Sequence, residues 1–125
     1  MDAINFKNDG GPLFVGFQVI NDCKVKNYSI ELYSEEGNKV VAVITKENTN
    51  SFGFKFPLPA HAFQNNHRVL TCTVKFDNID VHEPDFFHVG MALYQDGKLL
   101  DLIEKEGELN IKEQMESLLF QLIGE

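Results

Sequence analysis

The sequence lacks several features that mark whole classes of protein. It contains no tryptophan, two cysteines, and eleven basic residues against nineteen acidic ones, for a net charge of −8. No cluster of lysine or arginine could neutralise a run of phosphates, so nucleic-acid binding is not expected. The same charge balance disfavours binding to anionic membrane surfaces.

Signals for export and membrane insertion are also missing. The first eleven residues have no basic segment followed by an apolar one, so they do not predict a signal peptide. No apolar run approaches the roughly 20 residues of a membrane-spanning helix. We therefore predict a cytoplasmic protein without membrane insertion. Cys23 and Cys72 lie far apart and outside any CxxC pattern, so we predict two unbonded thiols.

Signatures of catalysis and metal binding are weak. His82, Glu83, Asp85 and His88 are metal-ligand residue types, but their spacing does not imply that they converge, and a solvated acidic loop is the simpler interpretation. Gly97-Lys98 lacks the other residues of a phosphate-binding loop. We therefore predict that the protein is not an enzyme and that it has no cofactor or metal site.

The clearest positive signal is a β-hairpin over residues 86–103. Asp96-Gly97 separates two apolar runs and suits a two-residue type I′ turn. Pairing Gln95 with Lys98 would place Leu93 opposite Leu100. That register predicts one apolar face, made of Val89, Met91, Leu93, Leu100 and Leu102.

Other segments also alternate as strands do. Residues 27–34 and 39–45 form a second predicted hairpin, with Leu32 opposite Val41 and Ile30 opposite Val43. About seven short strands at regular spacing predict an all-β domain over residues 1–125, an antiparallel immunoglobulin-like or jelly-roll-type β-sandwich. The predicted shared core comprises Ile30, Leu32, Val41, Val43, Leu70, Cys72, Val74, Met91, Leu93 and Leu100.

The end of the chain has a different pattern. Asn110 and Glu113 have the spacing of a helix cap, and the apolar residues that follow fit one helical stripe. We therefore predict a terminal amphipathic helix over residues 110–123. Phe120 would lie opposite that stripe, which makes it a candidate contact in a predicted homodimer.

A binding surface is the remaining functional possibility. Tyr94, Tyr33, His88 and Asp101 all point away from the predicted core faces, and they are the candidate ligand-binding residues. Aromatic rings beside hydrogen-bonding groups suit sugars, which present both C–H and O–H groups. The net charge favours a neutral or cation-bearing glycan. The alternative is that the two tyrosines pack under loops or at a dimer contact.

The order of elements resembles a known family. The segments YSIELYSEEGNKVVAVIT, FGFKFPLP, HRVLTCTVKF and FFHVGMALYQDGKLLDLIEKEGELNI are similar to the carbohydrate-binding C-terminal domain of the ATP-binding subunit of O-antigen and teichoic-acid-type ABC exporters. The resemblance covers roughly residues 13–111. It implies a cytoplasmic β-sandwich that recognises the end of a lipid-linked polysaccharide, dimerises, and has an exporter ATPase as its partner. The alternative function is a structural or assembly subunit that makes protein–protein contacts.

Overall fold

The structure is a computed structural model that describes residues 2–63, 68–77, 85–109 and 115–125. Within these ranges, some strand segments are described by their backbone alone. Seven strands occur in this part of the chain: β1 Asp2–Phe6, β2 Leu13–Tyr33, β3 Lys39–Pro57, β4 Val69–Asp77, β5 Asp85–Gln95, β6 Lys98–Leu109 and β7 Met115–Gly124.

The long hairpin of β2 and β3 contributes strand segments to both sheets. The first part of β2, residues 13–21, pairs with β5, whereas its last part, residues 27–33, pairs with β4. We call sheet I the strands β1, β7 and β4 with residues 27–33 and 39–49 of the hairpin. Sheet II contains β6, β5 and residues 13–21 and 51–57. All of these pairs are antiparallel except β1 with β7.

The passage of β2 from one sheet to the other requires an irregular ladder. Its buried residues are odd-numbered within 15–19 but even-numbered at Ile30 and Leu32. Alternate residues of a strand face the same side, so this switch needs an extra residue. The register with β3 shifts accordingly between Ile20 and Asn27. The polar residues 21–22 and 46–51 are part of the strands.

The predicted core is largely confirmed. Its buried members are Ile30, Leu32, Leu70, Cys72, Val74, Met91 and Leu93. They belong to one apolar cluster that also contains buried residues of β1 and β7. The pairing of Leu32 with Val41 is confirmed, although Val41 is only half-buried, and the Val43 side chain lies outside the described residues.

The hairpin predicted over residues 86–103 has the predicted turn but a different register. Asp96 and Gly97 both have positive φ, 51° and 78°, as a type I′ turn requires. Leu93, however, pairs with Asp101 because a bulge interrupts the ladder between Leu93 and Tyr94. The predicted core positions of Leu100 and Leu102 are therefore wrong: these side chains are 41% and 48% exposed.

The predicted terminal helix is wrong over residues 115–123. β7 pairs antiparallel with β4 and parallel with β1, and residues 110–114 lie outside the described part of the chain. The terminal segment also fits a period of two, since Leu118, Phe120 and Leu122 are buried while Leu119 is 41% exposed. Pairing with β4 and β1 on either side gives the segment the period of two of a strand. Phe120 is fully buried, so it cannot be the predicted dimer contact.

The architecture is thus all-β, with two antiparallel-rich sheets, and it is consistent with a β-sandwich. The finer immunoglobulin-like or jelly-roll assignment stays a prediction. Within the part of the chain that the structure describes, no helical segment has the length and apolar character needed to cross a membrane.

Candidate functional site

A groove lies on the outer face of sheet II, floored by small residues. On this face Gly16 is opposite Ala92, and Gln18 is opposite Gly90. Missing or short side chains at three of these positions leave a groove of about 320 Å³. We call it the sheet II groove. It is lined by Gly16, Phe17, Gln18, Phe54, Lys55, His88, Gly90, Ala92, Tyr94, Leu99, Leu102 and Glu104.

One side of the sheet II groove is formed by an aromatic ring and an ammonium group. The Nζ atom of Lys55 lies 3.9 Å from the centroid of the Tyr94 ring and 5.4 Å from that of Phe14. A Cβ atom at Gly16 would lie 3.4 Å from Cε2 of Tyr94, so the ring reaches over this glycine. Cation–π attraction stabilises Lys55 in this position.

The opposite side is formed by β6. Tyr94 pairs with Leu99, Ala92 with Leu102, and Gly90 with the glutamate at position 104. The bulge in the hairpin moves Leu102 from the predicted core face to this outer face. Leu102 thereby supplies an apolar surface that is 48% exposed beside the glycine floor.

A polar group closes one end of the groove. Nδ1 of His88 lies 2.9 Å from Oε1 of Glu106, and its Nε2 lies 3.8 Å from Oε1 of Glu104. The His88 side chain is 28% exposed, whereas those of Glu104 and Glu106 are 55% and 77% exposed. The carboxylate of Glu104, which lines the groove, can therefore accept a hydrogen bond from a ligand.

The structure separates the four predicted ligand-binding residues. Tyr94 and His88 line the sheet II groove together. Asp101 does not line it, and its Oδ1 accepts a hydrogen bond of 2.8 Å from the backbone N–H of Leu102. Tyr33 lies on sheet I, where it pairs with Thr71, so it does not join the groove.

Sequence reasoning missed several groove residues. The alternation in VGFQV and FGFKF indicated that Gly16, Gln18 and Lys55 face away from the phenylalanine core. Their adjacency depends on β2 lying between β3 and β5, and the sequence does not give that order. Leu102 was missed because of the bulge.

A second polar cluster surrounds Tyr33 on the outer face of sheet I. The Tyr33 hydroxyl donates a hydrogen bond to Oε2 of Glu31, and Nζ of Lys39 lies 2.9 Å from the same oxygen. These two contacts hold the pKa of Glu31 below its ordinary value. The carboxylate in turn raises the pKa values of Tyr33 and Lys39. The three groups satisfy one another, which suits a structural role.

Another cavity, of about 420 Å³, lies beside the loop that precedes β2. Its lining is backbone, apolar side chains and Asn8. Oδ1 of Asn8 already accepts hydrogen bonds from the Gly10 N–H at 3.0 Å and from Nε2 of Gln95 at 3.2 Å. This cavity therefore has fewer available polar groups than the sheet II groove.

Chemistry based on thiols or metal ions has little support in the described residues. Cys72 is unbonded and buried, and burial raises the pKa of its thiol. Among the side chains that the structure describes, no group of three or more His, Cys, Asp or Glu could hold a metal ion. The suggested metal-ligand residues His82 and Glu83 lie outside them.

Comparison with known proteins yields one structural likeness. No protein-family model and no curated protein matches the chain. A crystal structure of a domain of unknown function, DUF4425, from Bacteroides vulgatus is similar, with a TM-score of 0.49 and 18% identity. The match covers 89% of this chain and 94% of that one.

Proposed function

We propose that the protein is a non-catalytic carbohydrate-binding module whose glycan binds in the sheet II groove. The observation that carries the proposal is the half-exposed Tyr94 ring beside a floor of glycines. A pyranose presents flat patches of C–H groups, and such patches pack on aromatic and aliphatic surfaces. Leu102 supplies an aliphatic surface across the floor from Lys55.

Polar groups around the groove suit the hydroxyls of a sugar. Gln18 offers both a donor and an acceptor, Lys55 offers donors, and Glu104 offers acceptors. All three side chains are exposed and line the same groove. A glycan can therefore exchange its hydrogen bonds with water for hydrogen bonds with the protein along the whole groove.

The dimensions of the groove favour a short piece of glycan. Its volume of about 320 Å³ is near the lower end of the roughly 300–1,000 Å³ typical of small-molecule sites. With one aromatic ring and an open groove, we expect dissociation constants from micromolar to millimolar, or roughly −8 to −4 kcal/mol. In line with the family resemblance, the ligand would be the end of a lipid-linked polysaccharide destined for export, with an exporter ATPase as partner.

A glycan array followed by a heteronuclear NMR titration tests this proposal. We expect a bound sugar to shift the backbone amide signals of Gly16, Gln18 and Gly90. The amides of Thr71 and Thr73 on the outer face of sheet I serve as the internal control. Shifts confined to sheet I would place the glycan elsewhere, and binding of no glycan would argue against the function.

The exposed leucines of β6 favour a second candidate, an assembly subunit. Leu99, Leu100 and Leu102 are 55%, 41% and 48% exposed. Within the described chain β6 forms ladder hydrogen bonds only with β5 and also contacts β1, so the exposed leucines are the surface that favours this candidate. Light scattering over a micromolar concentration range tests self-association. A dimer that dissociates in Leu100→Glu would support assembly, whereas a monomer at every concentration would argue against a homodimer.

A further inference from the structure

The two sides of the sheet II groove carry opposite charges. Lys55 stands on β3, and Glu104 stands on β6, three strands away. At about 4.8 Å per strand, the two backbones are roughly 14 Å apart. The Lys55 side chain reaches across β2 to the Tyr94 ring, which lies over Gly16. Its ammonium group therefore contacts the ring, and the described ion pairs include none between Lys55 and Glu104.

The β6 side carries negative charge that its neighbours only partly offset. His88 approaches Glu106 closely, at 2.9 Å, but lies 3.8 Å from the carboxylate of Glu104. Lys105 follows Glu104 in the strand, and alternation directs it to the other side of the sheet. Glu104 is the carboxylate that lines the groove, and a donor in the groove can reach it.

Resting on the glycan function proposed above, we infer that the glycan carries a free amino group that binds against Glu104. An ammonium group would make a charge-assisted hydrogen bond with this carboxylate, which is stronger than one from a neutral hydroxyl. The remaining sugar ring would extend over Gly90 and Ala92 towards Tyr94. An amino sugar meets both requirements, because it joins a cation to a pyranose ring.

An NMR titration at low salt with three matched probes tests this inference. The probes are methyl glucoside, methyl glucosaminide and its N-acetylated form, at a pH where the amine is protonated. We expect methyl glucosaminide to bind about two- to fivefold more tightly than the other two, the ratio expected for an exposed ion pair. Added salt should reduce this preference.

Matched variants locate the amino group. Glu104→Gln should remove the preference, whereas Glu108→Gln should retain it. Glu108 lies further along the same face of β6, opposite Phe86 and outside the groove lining. Equal binding of the three probes, or a preference that survives Glu104→Gln, would overturn the inference and leave glycan binding intact. If no probe shifts a groove amide, the inference is overturned, and the glycan array decides separately whether the glycan function also fails.

Discussion

Lys55 Nζ lies 3.9 Å from the centroid of the Tyr94 ring, although the strands of these residues are not neighbours. β2 runs between them: Gly16 pairs with Lys55, and the Tyr94 ring reaches over that glycine. The missing side chain lets the lysine and the ring meet above the sheet. The contact therefore depends on three residues that are distant in sequence.

Tyr94→Ala should weaken glycan binding with little effect on folding. Loss of one ring contact costs roughly 0.5–1.5 kcal/mol, or about 2- to 13-fold in affinity. The ring is half-buried on the outer face, so we expect the thermal midpoint to fall by no more than about 5 °C. NMR titration and thermal unfolding monitored by circular dichroism measure the two effects.

Tyr33→Ala is the matched control for that change. It removes the same side chain from the outer face of sheet I, so glycan affinity should not change. Equal losses of affinity in both variants would show that the effect is not local to the groove. Unfolding of Tyr94→Ala alone would show that Tyr94 is required by the fold.

The bulge in the hairpin of β5 and β6 predicts opposite outcomes for two of its leucines. Leu93 is fully buried and Leu100 is 41% exposed. Leu93→Ala should lower the free energy of unfolding by about 2–5 kcal/mol, and Leu100→Ala by less than about 0.5 kcal/mol, as at a surface site. Urea denaturation measures both. Similarly large losses of unfolding free energy in both variants would support the predicted register without a bulge.

The sequence predicted those parts of the fold that depend on local chemistry. Asp96-Gly97 gave the turn because few other dipeptides accept two positive φ angles. The pairing of Leu32 with Val41 followed from a short connection between alternating segments. The bulge was not predictable, because Leu100 and Leu102 are apolar and fit either face.

The strand structure of the terminal segment and the composition of the site depend on pairing between strands that are distant in sequence. Met115–Gly124 fits both a helical stripe and a strand, and only β4 and β1 on either side of it decide between them. Of the candidate site residues, Tyr94 and His88 share a strand and a face, so periodicity alone joined them. The position of Tyr33 could be predicted only from the strand order, which places this residue on sheet I.

The cluster around Glu31 predicts a pH dependence of stability. Hydrogen bonds from Tyr33 and Lys39 lower the pKa of Glu31 from its ordinary value of 4.5. A carboxyl group whose pKa is lower in the folded state stabilises the protein above 4.5, and that contribution is lost as the pH falls through the folded value. Glu31→Gln should therefore be less stable than the wild type at neutral pH.

That difference should narrow as the pH falls below 4.5, and urea denaturation at several pH values measures it. Glu36→Gln, on the exposed turn between β2 and β3, is the control. A constant difference between wild type and Glu31→Gln at all pH values would argue against the lowered pKa. The stability difference would then come from the change of side chain and not from the loss of its charge.

The Cys72 thiol should be unreactive in the folded protein. It is fully buried in the core, and burial raises its pKa, so the reactive thiolate is scarce. A thiol reagent should therefore modify Cys72 only after denaturation, as peptide mapping would show. In denatured, unreduced protein we expect two free thiols. Fewer would contradict the prediction that Cys23 and Cys72 are unbonded.

The glycine floor makes a separate prediction about binding. Gly53 and Gly90 flank Gln18 on either side in sheet II, but only Gly90 lines the groove. A Cβ atom at Gly90 would meet its nearest neighbour, Leu102, at 3.7 Å, an ordinary contact. Gly90→Val should therefore fold, since valine favours strands, while its side chain fills the floor and abolishes glycan binding.

Gly53→Val is the matched control, because it adds the same side chain to the neighbouring strand. A Cβ atom there would lie 3.5 Å from the backbone oxygen of Phe17, so this variant should also fold. It should bind glycan with unchanged affinity, since Gly53 is exposed outside the groove. Circular dichroism verifies folding, and NMR titration measures binding. If Gly90→Val folds and still binds, the glycan does not occupy the sheet II groove.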